Sequence, residues 1–287
     1  MRNQRFFILN NVTLDGNQFK YNYMSTILFP TDFSETANNA FLYALNLANT
    51  FESEIKLITL NTRLNDSDNL SEKDFNEKVN RLKKVAEDAN LGHVKIHAHL
   101  ELGDLLLAIL NITEKEDIRY IVMGTSGEGN LNKKVFGSTT LSVINNANVP
   151  VLAIPDRVQY KKERNFAFAT LFDEKEDRAL TEMITITKAH HGHLNVVHVE
   201  KGDSSPDTII NREEWLANHP EVNLEIVRSN FVEDALINYC QVNKIDVLGV
   251  VRRDLNFFQR IFSKKYSEKL LTDADFAILV FRGDMKI

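Results

Sequence analysis

The chain has 287 residues, enough for two domains of ordinary size, and at 43% hydrophobic and 26% charged it can build cores and is too apolar to stay disordered. A net charge of −6 and a pI near 5.8 argue against a general nucleic-acid binder, and the single cysteine, Cys240, excludes an intrachain disulfide framework and a cysteine-rich zinc site. No apolar run approaches the ~18 residues of a membrane span, and Phe6–Leu9 is too short for the core of a signal peptide, so a cytoplasmic, reducing-compartment protein with no membrane partner is expected.

Residues 1–23 are Asn-rich and aperiodic and read as a poorly ordered extension, or as translation assigned from too early a start with Met24 as the natural one. From there short apolar runs alternate with helix-period segments. Ile27–Phe29 reads as a strand. Ser34–Thr50 reads as a helix with Ser34 at the N-cap, its Ala37, Ala40, Phe41, Ala44, Leu45, Leu47 and Ala48 falling on one stripe. Ile55–Leu60 (strand), Ser71–Leu91 (amphipathic helix), Val94–Leu100 (strand) and Asp104–Lys115 (helix) follow, then Tyr120–Met123 (strand), Ser138–Asn146 (helix) and Val149–Ile154 (strand). Continuous apolar strands separated by helices predict a parallel sheet covered on both faces, and right-handed crossovers make it doubly wound.

After a polar linker, Asp156–Arg164, the order recurs. Strands at Phe166–Thr170, Leu194–Val199, Asn223–Val227, Val247–Val251 and Phe276–Phe281 are joined by helices over Glu176–His190 and Glu233–Val242. An offset of 139 sets Thr31 on Thr170, Ala40 on Ala179 and Leu57–Leu60 on Val196–Val199; an offset of 127 sets Ile121 on Leu248 and Val151–Ile154 on Ile278–Phe281. The chain therefore reads as two tandem α/β domains, residues 24–156 and 165–283, with 12 residues lost from the middle of the second.

Two features in the first copy carry chemistry. Gly124-Thr-Ser-Gly127, nine further residues and then Gly137-Ser138-Thr139 lie between a strand and a helix. Glycines there let backbone N–H groups approach an anion, a helix N-terminus adds unpaired donors, and the two hydroxyls add more. That is what a polyphosphate cradle needs, although a Gly/Ser loop with a helix cap satisfies the same spacing. The second feature is Pro30-Thr31-Asp32-Phe33-Ser34, at the carboxyl end of the first strand. With strand order 3-2-1-4-5 the switch point falls between the first and fourth strands, and Asp32 faces the Gly124–Gly127 turn. An aspartate there can accept hydrogen bonds from a ribose, hold a magnesium ion or simply help cap the next helix.

Pro30-Thr31-Asp32-Phe33-Ser34-Glu35-Thr36-Ala37 together with G-x2-G-x9-G-S resembles the ATP-binding type of universal stress protein, over nearly all of residues 24–283 as a tandem pair. The resemblance implies the adenine-nucleotide α-hydrolase-like fold, with a five-stranded parallel sheet in each domain, paired through their last strands. It also implies ATP, with Mg2+ or Mn2+, in the crevice between the first and fourth strands. By motif, Pro30 and Thr31 would line the adenine pocket, Asp32 would contact ribose or adenine, and the Leu60 backbone would meet adenine. Met123, Gly124 and Gly127 would line the nucleotide, and Gly137, Ser138 and Thr139 would hold the phosphates. In the second copy these positions become Leu171, Val251, Asp254, Lys264 and Lys265, so that domain is expected not to bind ATP and to act as a built-in partner. The expected role is a stress-response signalling module with an unidentified protein partner, an internal pseudo-dimer still able to form a homodimer.

Other residues read as structural. The run Arg252-Arg253…Arg260…Lys264-Lys265 is expected to be solvated surface. His190-His191…His193 is expected to favour a helix C-terminus through the dipole, and His97 and His99 to sit on one exposed strand face. Cys240 reads as buried, and Trp215 as the anchor of an irregular segment. There is no G-x-S-x-G elbow and no Walker motif, so no catalytic set is legible. Only Lys133 and Lys134 stand near the phosphates, so any ATP hydrolysis is expected to be slow.

Overall fold

The computed structural model describes residues 25–61, 69–125, 138–156, 158–162, 164–202, 206–220, 222–252 and 276–283. The expected extension at 1–23, Gly127, Lys133, Lys134, Gly137, Asp254 and the basic residues 253–265 lie outside these residues.

The first half runs β1 (Thr26–Pro30), α1 (Glu35–Thr50), β2 (Glu54–Asn61), α2 (Glu72–Asp88), β3 (Ile96–Leu102), α3 (Leu105–Lys115), β4 (Ile118–Gly124), α4 (Ser138–Asn146) and β5 (Val151–Ile154). The second runs β6 (Asn165–Ala169), a single 3-10 turn (Glu174–Glu176), α5 (Asp177–Ala189), β7 (His193–Glu200), α6 (Pro206–Asn218), β8 (Asn223–Arg228), α7 (Val232–Val242), β9 (Val247–Arg252) and β10 (Ala277–Arg282).

Local chemistry sets the helix starts. The Ser34 side chain accepts from the Ala37 amide, Ser71 from Asp74 and Asp104 from Leu107, each satisfying a donor that the first helical turn leaves over. Phe75, Val79, Leu82 and Ala86 recur at helical spacing on α2 and form its buried stripe. The inner strands lack polar alternation because helices cover both faces, β5 being buried at all four positions, whereas the edge strand β3 alternates.

The ten strands among the described residues form one sheet in the order β3-β2-β1-β4-β5-β10-β9-β6-β7-β8. Each half is parallel with its first strand beside its fourth, and the halves meet where β5 and β10 pair antiparallel, Leu152 opposite Leu279. One core, including Phe29, Phe41, Leu45, Phe166, Met183 and Trp215, lies on the face covered by α1, α2, α5 and α6. The other, including Ile109, Val143, Leu236 and Cys240, lies under α3, α4 and α7. Fully burying side chains of this size contributes about 1.5–3 kcal/mol each, so the continuous two-faced core is the main stabilising term.

Polar contacts join the halves on the α1/α5 face. Arg119 on β4 pairs with Glu182 on α5 at 3.0 Å, and the Tyr120 hydroxyl donates to the same carboxylate. Asn39 on α1 donates to the Val158 carbonyl and accepts from the Tyr160 amide at 3.1 Å, pinning the linker. Arg164 is buried among the rings of Tyr43, Tyr160 and Phe166, 5.0, 5.0 and 5.7 Å from their centroids, and donates to the His190 ring. Burial first, then Arg164 and His191, push the His190 pKa down to about 3. His190 is therefore neutral at the end of α5 and does not act there as the dipole-stabilising cation expected from sequence.

Two other expectations are corrected. Trp215 is not in an irregular segment: it lies on α6, buried against Phe172 and stacked on His219 at 4.4 Å. Arg252 is not solvated surface: it is half-buried and donates to the Ile144 carbonyl in the last turn of α4. That carbonyl is one of the helix-end acceptors lacking an intrahelical donor, which a cation satisfies well. His97 and His99 are exposed and Cys240 is buried, as read from the sequence.

Candidate functional site

The site candidates gather at the carboxyl edge of the first half. Pro30 ends β1 opposite Ile58, and the Thr31 amide adds one more bond to the Ile58 carbonyl, at 2.9 Å. The chain then turns sharply. The Thr31 hydroxyl accepts from the Phe33 amide at 2.9 Å, and Phe33 sits at φ +61°, a left-handed conformation that a bulky residue rarely adopts. Such a residue persists only when its surroundings fix it, and Phe33 packs edge-on against Phe75 at 6.2 Å with the Lys78 ammonium over its ring.

The turn leaves Asp32 exposed beyond the sheet. One carboxylate oxygen accepts from the Ser34 amide at 3.0 Å, while Ser34 itself caps α1. Asp32 thus contributes to the helix entry, one of the roles the sequence left open for it, and stays exposed at the carboxyl end of β1.

Leu60, half-buried, lies two residues beyond the Pro30–Ile58 pair on β2 and so stands level with Asp32. Asn61 holds the strand end in place: its side chain bonds both the amide and the carbonyl of Leu70, at 2.8 and 3.1 Å. On the other side of β1, Met123 is buried and Gly124 ends β4, paired with Ile154. The buried Thr140 hydroxyl donates to the Gly124 carbonyl at 3.2 Å, tying the first turn of α4 to the end of β4. Ser138, the first residue of α4, and the exposed Thr139 are therefore held beside Gly124.

Among the described candidates, the fold thus collects Pro30, Thr31, Asp32, Leu60, Met123, Gly124, Ser138 and Thr139 at the ends of β2, β1 and β4 and the start of α4. From β1 the chain leaves to α1 on one face, and from β4 it leaves to α4 on the other, which makes this crevice the switch point of the half-sheet. Thr140 and Asn61 were missed by sequence reading. A hydroxyl two residues past a glycine-serine pair was the available signal for Thr140; nothing local marked Asn61. Among the described residues no group of three or more His, Cys, Asp or Glu could hold a metal ion, and no helix is long and apolar enough to cross a membrane.

The second half builds the same turn from different side chains. The Thr170 amide bonds the Val197 carbonyl at 2.9 Å, the Thr170 hydroxyl accepts from the Phe172 amide at 2.9 Å, and Phe172 also has φ +61°. Where Asp32 stands in the first half, Leu171 stands here, 57% exposed, so the anionic group is replaced by an aliphatic one.

Comparison with known proteins agrees with the fold. Residues 24–155 match the model of the universal stress protein family. The universal stress protein MJ0531 of Methanocaldococcus jannaschii is 29% identical over 161 residues, covering 52% of this chain and 91% of its own. A structure described as a putative universal stress protein from Pseudomonas aeruginosa is 14% identical with a TM-score of 0.65, covering 91% of this chain and 94% of its own. A universal stress protein from Archaeoglobus fulgidus is 18% identical with a TM-score of 0.63, covering 91% and 97%. At these identities the two structures speak for the fold alone, and they do so across both halves. Residues 24–155 therefore form a universal stress protein domain, and the fold of the solved members extends along both halves of the chain.

Proposed function

We propose that the first half binds an adenine nucleotide, ATP, and that the chain is a stress-response signalling module in which occupancy alters the surface offered to a partner. The observation that supports this most is the meeting of Asp32, Gly124 and the start of α4 at one switch-point crevice, with Thr140 fixing the helix start against Gly124. Helix α4 opens with backbone donors and with Ser138 and Thr139 in its first turn, beside the end of a parallel strand, which suits a chain of phosphates. Asp32 suits the hydroxyls of a ribose, or a divalent ion carried in on the phosphates. Met123 and Leu60 supply apolar surface for a base. Binding alters a partner surface only if ATP favours one loop arrangement over another, so the segment between Gly124 and Gly137 is the element through which occupancy is read.

The second half is proposed to bind no ATP, because the first-half aspartate is Leu171 there and Val251 stands in place of Gly124. Mass spectrometry of small molecules released from gently purified protein, followed by calorimetry with ATP, tests the reading. One nucleotide per chain is expected, lost in Gly127→Val and weakened at least about tenfold in Asp32→Ala. Unchanged ATP affinity in Gly127→Val, or two nucleotides per chain, refutes it.

A further inference from the structure

The end of β6 holds a buried carboxylate that the site in the first half has no counterpart for. Glu176 is only 2% exposed. Its carboxylate accepts from the Thr170 hydroxyl at 2.7 Å and from the Leu171 amide at 3.1 and 3.2 Å; the Asp173 amide lies 3.5 Å away. In a capping box the N-cap side chain accepts from the third residue's amide, and of that residue's own side chain only the contact to the N-cap amide, here Asp173, is required. Here that is the longest of the set. The short bonds go to Thr170 and Leu171, outside the helix, at the end of the strand.

The turn that supplies those donors does not need the glutamate in order to form. At the same register the first half has Ala37, with no carboxylate, yet Thr31–Phe33 adopts the same hydroxyl–amide bond and the same φ of +61°. In the second half the turn is further braced by His198, whose Nδ1 bonds the Thr170 carbonyl at 2.8 Å and whose ring lies 4.4 Å from Phe172. Trp215 packs edge-on against Phe172, with ring centroids 5.7 Å apart. The hydroxyl and the main-chain amide are therefore set by the fold, and the glutamate enters a place already shaped for an acceptor with two oxygens.

We propose that the turn at the end of β6 is a carboxylate-binding site and that Glu176 is its built-in occupant. This goes beyond the nucleotide reading of the first half and does not depend on it. The class of ligand the vacated site takes is a small carboxylate, or the acidic side chain of a peptide. A charged acceptor on a hydroxyl and an amide makes bonds roughly twice as strong as neutral ones, which explains why the chain keeps a carboxylate here rather than an amide.

The test is rescue of Glu176→Ala by acetate, which restores the two carbons and two oxygens that the substitution removes. Thermal unfolding of the full chain is compared in sodium acetate and in sodium chloride of equal ionic strength. Glu176→Ala is expected to melt several degrees below the wild type, and acetate to raise it by more than it raises the wild type. That extra rise is expected to vanish in Glu176→Ala/Thr170→Val. Equal acetate effects on wild type and variant, or rescue that survives loss of the Thr170 hydroxyl, overturn the proposal. Should Glu176→Ala fail to fold, Glu176→Asp withdraws the carboxylate by one methylene and keeps the charge. Hydrogen exchange at the Leu171 amide is then expected to quicken about tenfold, and unchanged protection there overturns the proposal equally.

Discussion

The neutral His190 makes stability depend on pH in a way that can be calculated. In the unfolded chain its pKa is the ordinary 6.5; in the folded protein, desolvation and the adjacent Arg164 hold it at about 3. A depressed histidine pKa means the unfolded chain binds the proton first, so the contribution is full above about pH 6.5 and drains away as pH falls toward 3. Between pH 7 and 5 the unfolded imidazole goes from about one-quarter to nearly full protonation while the folded one stays neutral. The cost is about 2 kcal/mol at 1.36 kcal/mol per pKa unit, and it is nearly the same for any folded value below 4. The perturbation is His190→Gln, which keeps an acceptor for Arg164 and cannot titrate. Urea unfolding at pH 7 and pH 5, followed by fluorescence of the single and buried Trp215, reads the half of the molecule in which His190 lies. Carboxylates and other histidines contribute equally to both proteins, so the wild type should lose about 2 kcal/mol more than the variant. Equal losses would refute the assignment of a neutral, Arg164-bonded ring.

Glu182→Leu removes the partner of Arg119 and the acceptor of the fully buried Tyr120 hydroxyl, and should cost about 2–3 kcal/mol in denaturant unfolding. Adding Tyr120→Phe should recover part of that loss, which a purely ionic role for Glu182 would not allow. At Gly249 on β9, an added Cβ would lie 2.8 Å from Met183 Sδ, so Gly249→Ala should destabilise by about 1–2 kcal/mol. With Met183→Ala in the background the same substitution should cost nothing further, a coupling that a double-mutant cycle measures.

Much of the fold was legible because its determinants are local or periodic. Ser34, Ser71 and Asp104 mark helix starts by residue type, and runs such as Val151–Ile154 declare strands buried on both faces. The offset of 139 is visible in the geometry as well: Phe33 and Phe172 share φ +61°, and Glu52 and His191 share φ +49°. What escaped the sequence depends on contacts distant along the chain. Helix α6 was missed because its apolar face is narrow and Trp215 looked isolated, although the helix is held by Phe172 some 43 residues earlier. His190 was read as a dipole-compensating cation because nothing in its neighbourhood announced that Arg164 would lie against it. At the candidate site, Asp32 and the glycines were visible as a pattern; the tether from Thr140 to Gly124, which joins the start of α4 to the end of β4, was not.

The antiparallel seam between β5 and β10 has a directional consequence. Every other neighbouring pair in the sheet runs parallel, so one reversal at the centre turns all strands of the second half head to tail relative to the first. The Asp32 crevice and the Glu176-filled turn consequently open at opposite rims of the molecule. No single small ligand can bridge them, and a protein that contacts one rim meets a surface remote from the other.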